Sequence, residues 1–192
     1  MNGDRNSANF ENVTAKNVVG RDQKNVTNII YNTIFIDENL KRLIREHEAS
    51  KETSPEYREF CAELNKFFNK KNPTKIRNLQ EKLSAGERDS IIEDAMEAKD
   101  YAVKKITKYT HYQTAQEIFT YLLTNMKTTY VHEIYPKIKS KKYESYEIDD
   151  LIHSKIIEPT LVSTSQCSIC IDKTTIYGLL YLLTGNCYIE WE

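Results

Sequence analysis

The chain has 192 residues, 40% hydrophobic and 29% charged, with 27 Lys and Arg balanced by 28 Asp and Glu. A net charge of −1 excludes a dedicated nucleic-acid coat, which needs a surplus of basic side chains, but leaves room for a local basic patch. Five Gly and four Pro favour long helices over a turn-rich all-β fold. No run of about 18 apolar residues is available to span a membrane, and residues 1–9 are too polar for a secretory signal, so a cytoplasmic protein is expected.

Residues 1–36 repeat a short theme: Asn12-Val13-Thr14, Asn17-Val18-Val19, Asn25-Val26-Thr27, Asn28-Ile29-Ile30. β-Branched residues favour extended chain. Gly20 suits a turn, with Arg21 and Asp22 beside it. A hairpin is expected around residues 18–22, with a further extended run over 29–36. Such a hairpin is marginal alone and its edges invite pairing between chains. Val13, Val18, Val19, Gly20, Arg21, Asp22, Val26, Ile29 and Ile30 are therefore expected to mediate self-association, giving a homo-oligomer.

From Asp37 the period becomes helical. Leu40, Leu43 and Ile44 mark a first helix; Ser54-Pro55 reads as the start of a second, with Tyr57, Phe60, Cys61, Leu64 and Phe68 on one face. Asn72-Pro73 breaks it. Thr74 is expected to cap a helix through Ile76, Leu79 and Leu83, ending near Gly86. Ile91, Ala95, Ala98, Ala102, Ile106 and Tyr109 share a face by steps of three and four, as do Ala115, Phe119, Leu122, Met126 and Tyr130. Pro136 is expected to close that helix, and Pro159 the next one, which runs through Ile148, Leu151, Ile152 and Ile156. Residues 174–184 are apolar nearly all round and should be buried on most sides, with Gly185 and Asn186 as a left-handed cap. The alternation Cys187, Tyr188, Ile189, Glu190, Trp191 reads as a strand. The expected fold is α+β, mostly α. An extended segment over 1–36 supplies a small sheet with the terminal strand, and a helical assembly domain fills 37–192.

Few residues suggest chemistry. Cys167 and Cys170 form a C-x-x-C, with Cys187 beyond and His153 upstream, enough to raise structural zinc. A second cysteine pair is absent, and burial as small apolar residues accounts for the thiols more simply. Cys61 is the fourth cysteine, and a reducing compartment would keep all four as thiols. Lys137, Lys139, Lys141 and Lys142, with Tyr143 and Tyr146 nearby, could bind single strands by charge and stacking. Glu144, Glu147, Asp149 and Asp150 follow at once, which favours a solvated connector. No nucleophile and base stand at a useful spacing, and no phosphate-binding glycine motif appears, so neither catalysis nor a cofactor is expected.

Two segments carry a resemblance. Asn17-Val18-Val19-Gly20-Arg21-Asp22-Gln23 resembles a leader of bacterial conflict-system proteins. The run from Tyr177 through Leu183-Thr184-Gly185-Asn186-Cys187-Tyr188-Ile189-Glu190-Trp191 resembles the closing motif of the C-terminal domain of ABC-three-component, Lamassu-type, antiphage effector proteins, where histidine is expected in place of Tyr188. The resemblance implies a non-catalytic scaffold subunit of a bacterial antiviral complex, tethered to an SMC-like or ABC-type ATPase and a small middle subunit. It also implies an effector's toxic domain ahead of this one, for which 36 residues are too few. Leu183, Thr184, Gly185, Asn186, Cys187, Ile189 and Trp191 are expected to organise the core or a partner groove. The alternatives are a nucleic-acid-binding regulator using the Lys-rich connector and a small structural zinc protein.

Overall fold

The computed structural model describes residues 38–49, 61–71 and 77–192. Asn39–Glu192 is one compact unit. Its helices are α1 (38–49), α2 (Ala62–Phe68), α3 (Leu79–Ala85), α4 (Ile92–Lys108), α5 (Gln113–Thr129), α6 (Tyr135–Ser140), α7 (Ser145–Ile152), α8 (Glu158–Ser163) and α9 (Lys173–Gly185). No strand occurs among the described residues. The expected α+β fold with a small sheet is therefore corrected to a helical one. The side chains of residues 187–191 do alternate between buried and half-buried, but Cys187 stands in a turn and Tyr188 in a bend. Alternating burial alone does not make a strand, which also needs extended backbone and an edge to pair with. Here the terminal backbone finds other donors: the Tyr130 hydroxyl donates to the Glu190 carbonyl at 2.8 Å. The hairpin expected over 1–36, with all its self-association residues, lies outside the described residues, as do Ser54, Pro55, Asn72, Pro73 and Thr74.

α9 is the central element and packs most extensively on α4. Asp172 starts it, accepting from the Thr175 N–H at 2.7 Å and the Thr175 hydroxyl at 2.6 Å, which satisfies one of the first-turn amides. Residues Ile176, Leu179, Leu180, Leu182 and Leu183 are buried together. α4 presents Ala95, Ala98 and Ala102 to it, and Gly178 completes the contact: a Cβ there would lie 2.1 Å from the Ala98 carbonyl oxygen and 2.6 Å from Ala102 Cβ. Small residues on both faces bring the two backbones together.

α3 begins at Leu79, later than the residues read as its cap. Asn78 accepts from the Glu81 N–H at 2.8 Å, and Glu81 accepts from the Asn78 N–H at 2.8 Å, a reciprocal capping box.

The two inner prolines do not end their helices. α5 continues through a wide, π-type turn at Tyr130–Ile134 into α6, and α7 continues through another at His153–Ile157 into α8. Proline lacks an N–H and its ring clashes with the carbonyl four residues back. For Pro136 that carbonyl belongs to His132, and for Pro159 to Lys155, both inside the wide turns. Widening the turn relieves the clash while the chain stays helical. An ion pair joins the two bulges, Lys155 Nζ to Glu133 at 3.4 Å.

Candidate functional site

Residues 183–191 form a lock that ties four parts of the unit together. Each residue does this by a different route. Thr184 is fully buried; its hydroxyl donates to the Leu180 carbonyl at 3.0 Å and accepts from the Trp191 indole N–H at 3.0 Å. Asn186 Nδ2 donates to the Phe67 carbonyl at 2.7 Å, and the Asn186 carbonyl accepts from the Lys71 N–H at 3.2 Å, so this one residue holds the end of α2. Cys187, not Gly185 or Asn186, takes the left-handed backbone conformation, at φ 64°. That turn reverses the chain so that the Tyr188 N–H reaches the Leu183 carbonyl at 2.9 Å. Tyr188, standing where histidine is expected, directs its hydroxyl at the Lys66 and Asn69 carbonyls, and its ring lies 5.3 Å from that of Phe67.

Trp191, 4% exposed, closes the lock. Its ring meets Tyr130 edge-on at 5.8 Å and carries the Arg88 guanidinium at 4.7 Å. Gly86 at the end of α3 is small because Trp191 lies against it: a Cβ would come within 2.7 Å of Trp191 Cβ. Arg88 in turn donates to Asp149 at 3.0 and 2.8 Å and to the Ser145 carbonyl at 3.1 Å, which binds α7 to the lock. Burial pushes the Tyr130 phenol far above its ordinary range, so it serves as a hydrogen-bond donor and not as an acid.

The charges under the lock are matched. Lys82, 1% exposed, gives its ammonium to the Thr184 carbonyl at 2.9 Å and to Glu190 Oε1 at 3.0 Å. The other oxygen of Glu190 pairs with Arg77 at 3.0 Å, and Arg77 also reaches Glu192 at 2.7 Å. A buried ammonium without a carboxylate would be strongly unfavourable. Sequence reading missed Lys82, Arg88 and Tyr130 as parts of this arrangement. One signal was present: Lys82 stands three residues after Leu79 and beside Leu83, on the apolar side of α3.

The other candidate residues stay apart from the lock. Lys137 and Lys139 lie in α6, Lys141 is its left-handed cap and Lys142 follows. Lys137 Nζ donates to the Tyr143 hydroxyl at 3.2 Å and sits 4.8 Å from its ring centre, while Lys139 lies 5.7 Å from the Tyr135 ring. Cys167 precedes α9 and Cys187 follows it, so a 13-residue helix separates them, about 20 Å at 1.5 Å per residue. His153 opens the second wide turn. Among the described residues no three His, Cys, Asp or Glu side chains gather in an arrangement that could hold a metal ion, and no described helix is long and apolar enough to cross a membrane.

What the arrangement can do is structural: it offers a rigid end to a helical body, with its polar groups consumed internally. Comparison with known proteins returned no match to a curated protein and none to a solved structure. The model of one family does match, over residues 78–191, from the capping residue of α3 to the tryptophan of the lock. That span is more than half of the chain, and the protein belongs to the family described as C-terminal domain 9 of the ABC-three component systems.

Proposed function

We propose that this chain is a non-catalytic scaffold subunit of a Lamassu-type bacterial antiphage complex, tethering to an SMC-like or ABC-type ATPase and a small middle subunit. The observation that carries this reading is the family match over 78–191. It is supported by the way the lock consumes the signature residues Thr184, Asn186 and Trp191 in holding α2, α3 and α7. Residues used in this way shape a body; they do not meet a substrate. The N-terminal residues 1–36 provide self-association in this reading, and the assembly works in the cytoplasm.

The test is co-expression of the full chain with the genes of its own system, purification on a single tag and mass determination by light scattering. The expected result is an ATPase and a middle subunit in fixed ratio with this chain. Recovery of the chain alone, as a monomer, would overturn the reading.

A further inference from the structure

We propose that the turn from α6 into α7 is a contact site for single-stranded nucleic acid, in which Lys137, Lys141 and Lys142 take phosphates and Tyr143 and Tyr146 take bases. Residues 135–143 read Tyr-Pro-Lys-Ile-Lys-Ser-Lys-Lys-Tyr, with four lysines and no acid. The turn is set by its own backbone. Lys141 is left-handed at φ 53°, and its N–H donates to the Ile138 carbonyl at 3.1 Å. The Ser140 hydroxyl donates to the Lys137 carbonyl at 2.7 Å and accepts from the Lys142 N–H at 3.4 Å, so one side chain ties both ends of the lysine run. The chain then brings Tyr143 back to Lys137, whose ammonium donates to the Tyr143 hydroxyl at 3.2 Å and lies 4.8 Å from the ring centre. Cation and aromatic ring are thereby held side by side, as a nucleotide presents its phosphate and base. Lys139 stands two positions from Lys137, on the other side of α6, and is not part of the contact.

The acids that follow in sequence do not cancel these lysines. Glu147 turns back to accept from the Glu144 N–H at 2.9 Å, and Asp149 is drawn to Arg88 at 2.8 Å. Only Glu144 and Asp150 are left exposed without such a role. Among the described residues Lys82, Lys105 and Lys155 each meet a carboxylate, whereas Lys137, Lys141 and Lys142 meet none. The rings point to the class of polyanion. Tyr146 is 66% exposed and Tyr143 40%, and Tyr146 is the most exposed large hydrophobic side chain described. An acidic peptide would answer the lysines and leave the rings unused, and a duplex hides the faces of its bases. An unpaired base offers a face to an aromatic ring while its phosphate meets an ammonium. Residues 135–146 contain no Asn, Gln or Arg to read base edges, so the contact is tolerant of sequence. It is additional to the assembly role and needs none of that role's partners.

The test uses the full chain and a fluorescently labelled oligothymidylate of about 12 nucleotides. Binding is followed by anisotropy between about 50 and 200 mM salt. It is expected to weaken about 20-fold over that range, because three neutralised phosphates give a logarithmic salt slope of about −2. Lys137→Gln with Lys142→Gln should weaken binding and flatten the slope to about −0.7. Tyr146→Ala should weaken binding about tenfold at every salt concentration and leave the slope unchanged. Circular dichroism should show both variants folded as the native chain is, since the lysines and Tyr146 hold nothing in the core. The proposal is overturned if the native chain does not bind the oligonucleotide at the lowest salt, or if a duplex of equal length binds as tightly. It is equally overturned if oligoglutamate of equal charge displaces the probe as well as unlabelled oligothymidylate does, or if either variant binds as the native chain does.

Discussion

The lock and the proline-bent helical hairpin, formed by α5–α6 and α7–α8 and joined by the Lys155–Glu133 pair, solve the same problem in opposite ways. Each must join helical segments that do not run on smoothly. The lock does so with buried polar groups whose partners are all specified: Lys82 with Glu190 and Thr184, Trp191 with Thr184 and Arg88. The hairpin does so with backbone geometry, two wide turns ahead of Pro136 and Pro159, and a partly exposed ion pair between Lys155 and Glu133. Buried polar networks carry a large cost when broken, and exposed pairs carry little. The unit should therefore be brittle at the lock and tolerant at the hairpin tip.

The sharpest break is Trp191→Ala. It empties a core site and strips the Arg88 stack, so a loss of about 3–5 kcal/mol is expected in urea unfolding followed by circular dichroism. A loss below about 1 kcal/mol would mean the C-terminal residues are decoration. Next comes Glu190→Gln, which leaves the Lys82 ammonium buried without its carboxylate; a cost on the order of 3 kcal/mol is expected. Adding Lys82→Met in the same chain should recover most of it, because the unpaired charge is then gone. Failure of that recovery would show that charge matching is not what holds Glu190.

A smaller effect concerns pH. Burial alone would raise the Asp172 carboxyl, but hydrogen bonds from the Thr175 side chain and backbone and from Tyr101, with the Lys105 charge, outweigh it and hold the carboxyl down at about 2. Its folded value lies below its unfolded one, so the stabilisation is complete above about pH 4 and is lost as pH falls through about 2. The Asp172 side chain is half exposed, which limits its contribution to roughly 1 kcal/mol. The stability gap between the native chain and Asp172→Ala should therefore narrow from pH 7 to pH 2. Smallest of all, Lys137→Glu with Lys139→Glu should change stability by less than about 0.5 kcal/mol. A larger loss would show that the tip is as tightly specified as the lock.

Much of the helical body was legible from spacing. Ala95, Ala98, Ala102 and Ile106 are buried on one side of α4, and Ala115, Phe119, Leu122 and Met126 on one side of α5, because a 3.6-residue period places such steps on one face. The all-round apolar run before Gly185 is the central helix. Local chemistry was a poorer guide to where helices stop. Proline was read as a terminator at residues 136 and 159, yet a chain with packed neighbours on both sides of the proline widens one turn and continues.

The sequence by itself determined most of the apolar residues that would be inside, including the alternation of Cys187, Ile189 and Trp191, since burial of apolar groups follows period and composition. Only the tertiary structure decided what that terminal segment pairs with. A period of two specifies extended chain but not a partner, and the partners turned out to be Tyr130, Lys82 and Arg88, drawn from two distant stretches of the chain. Polar groups at such distances in sequence leave no local pattern. They are brought together because a buried charge or carbonyl must find its complement, and the packing of α9 on α4 sets where that complement can stand.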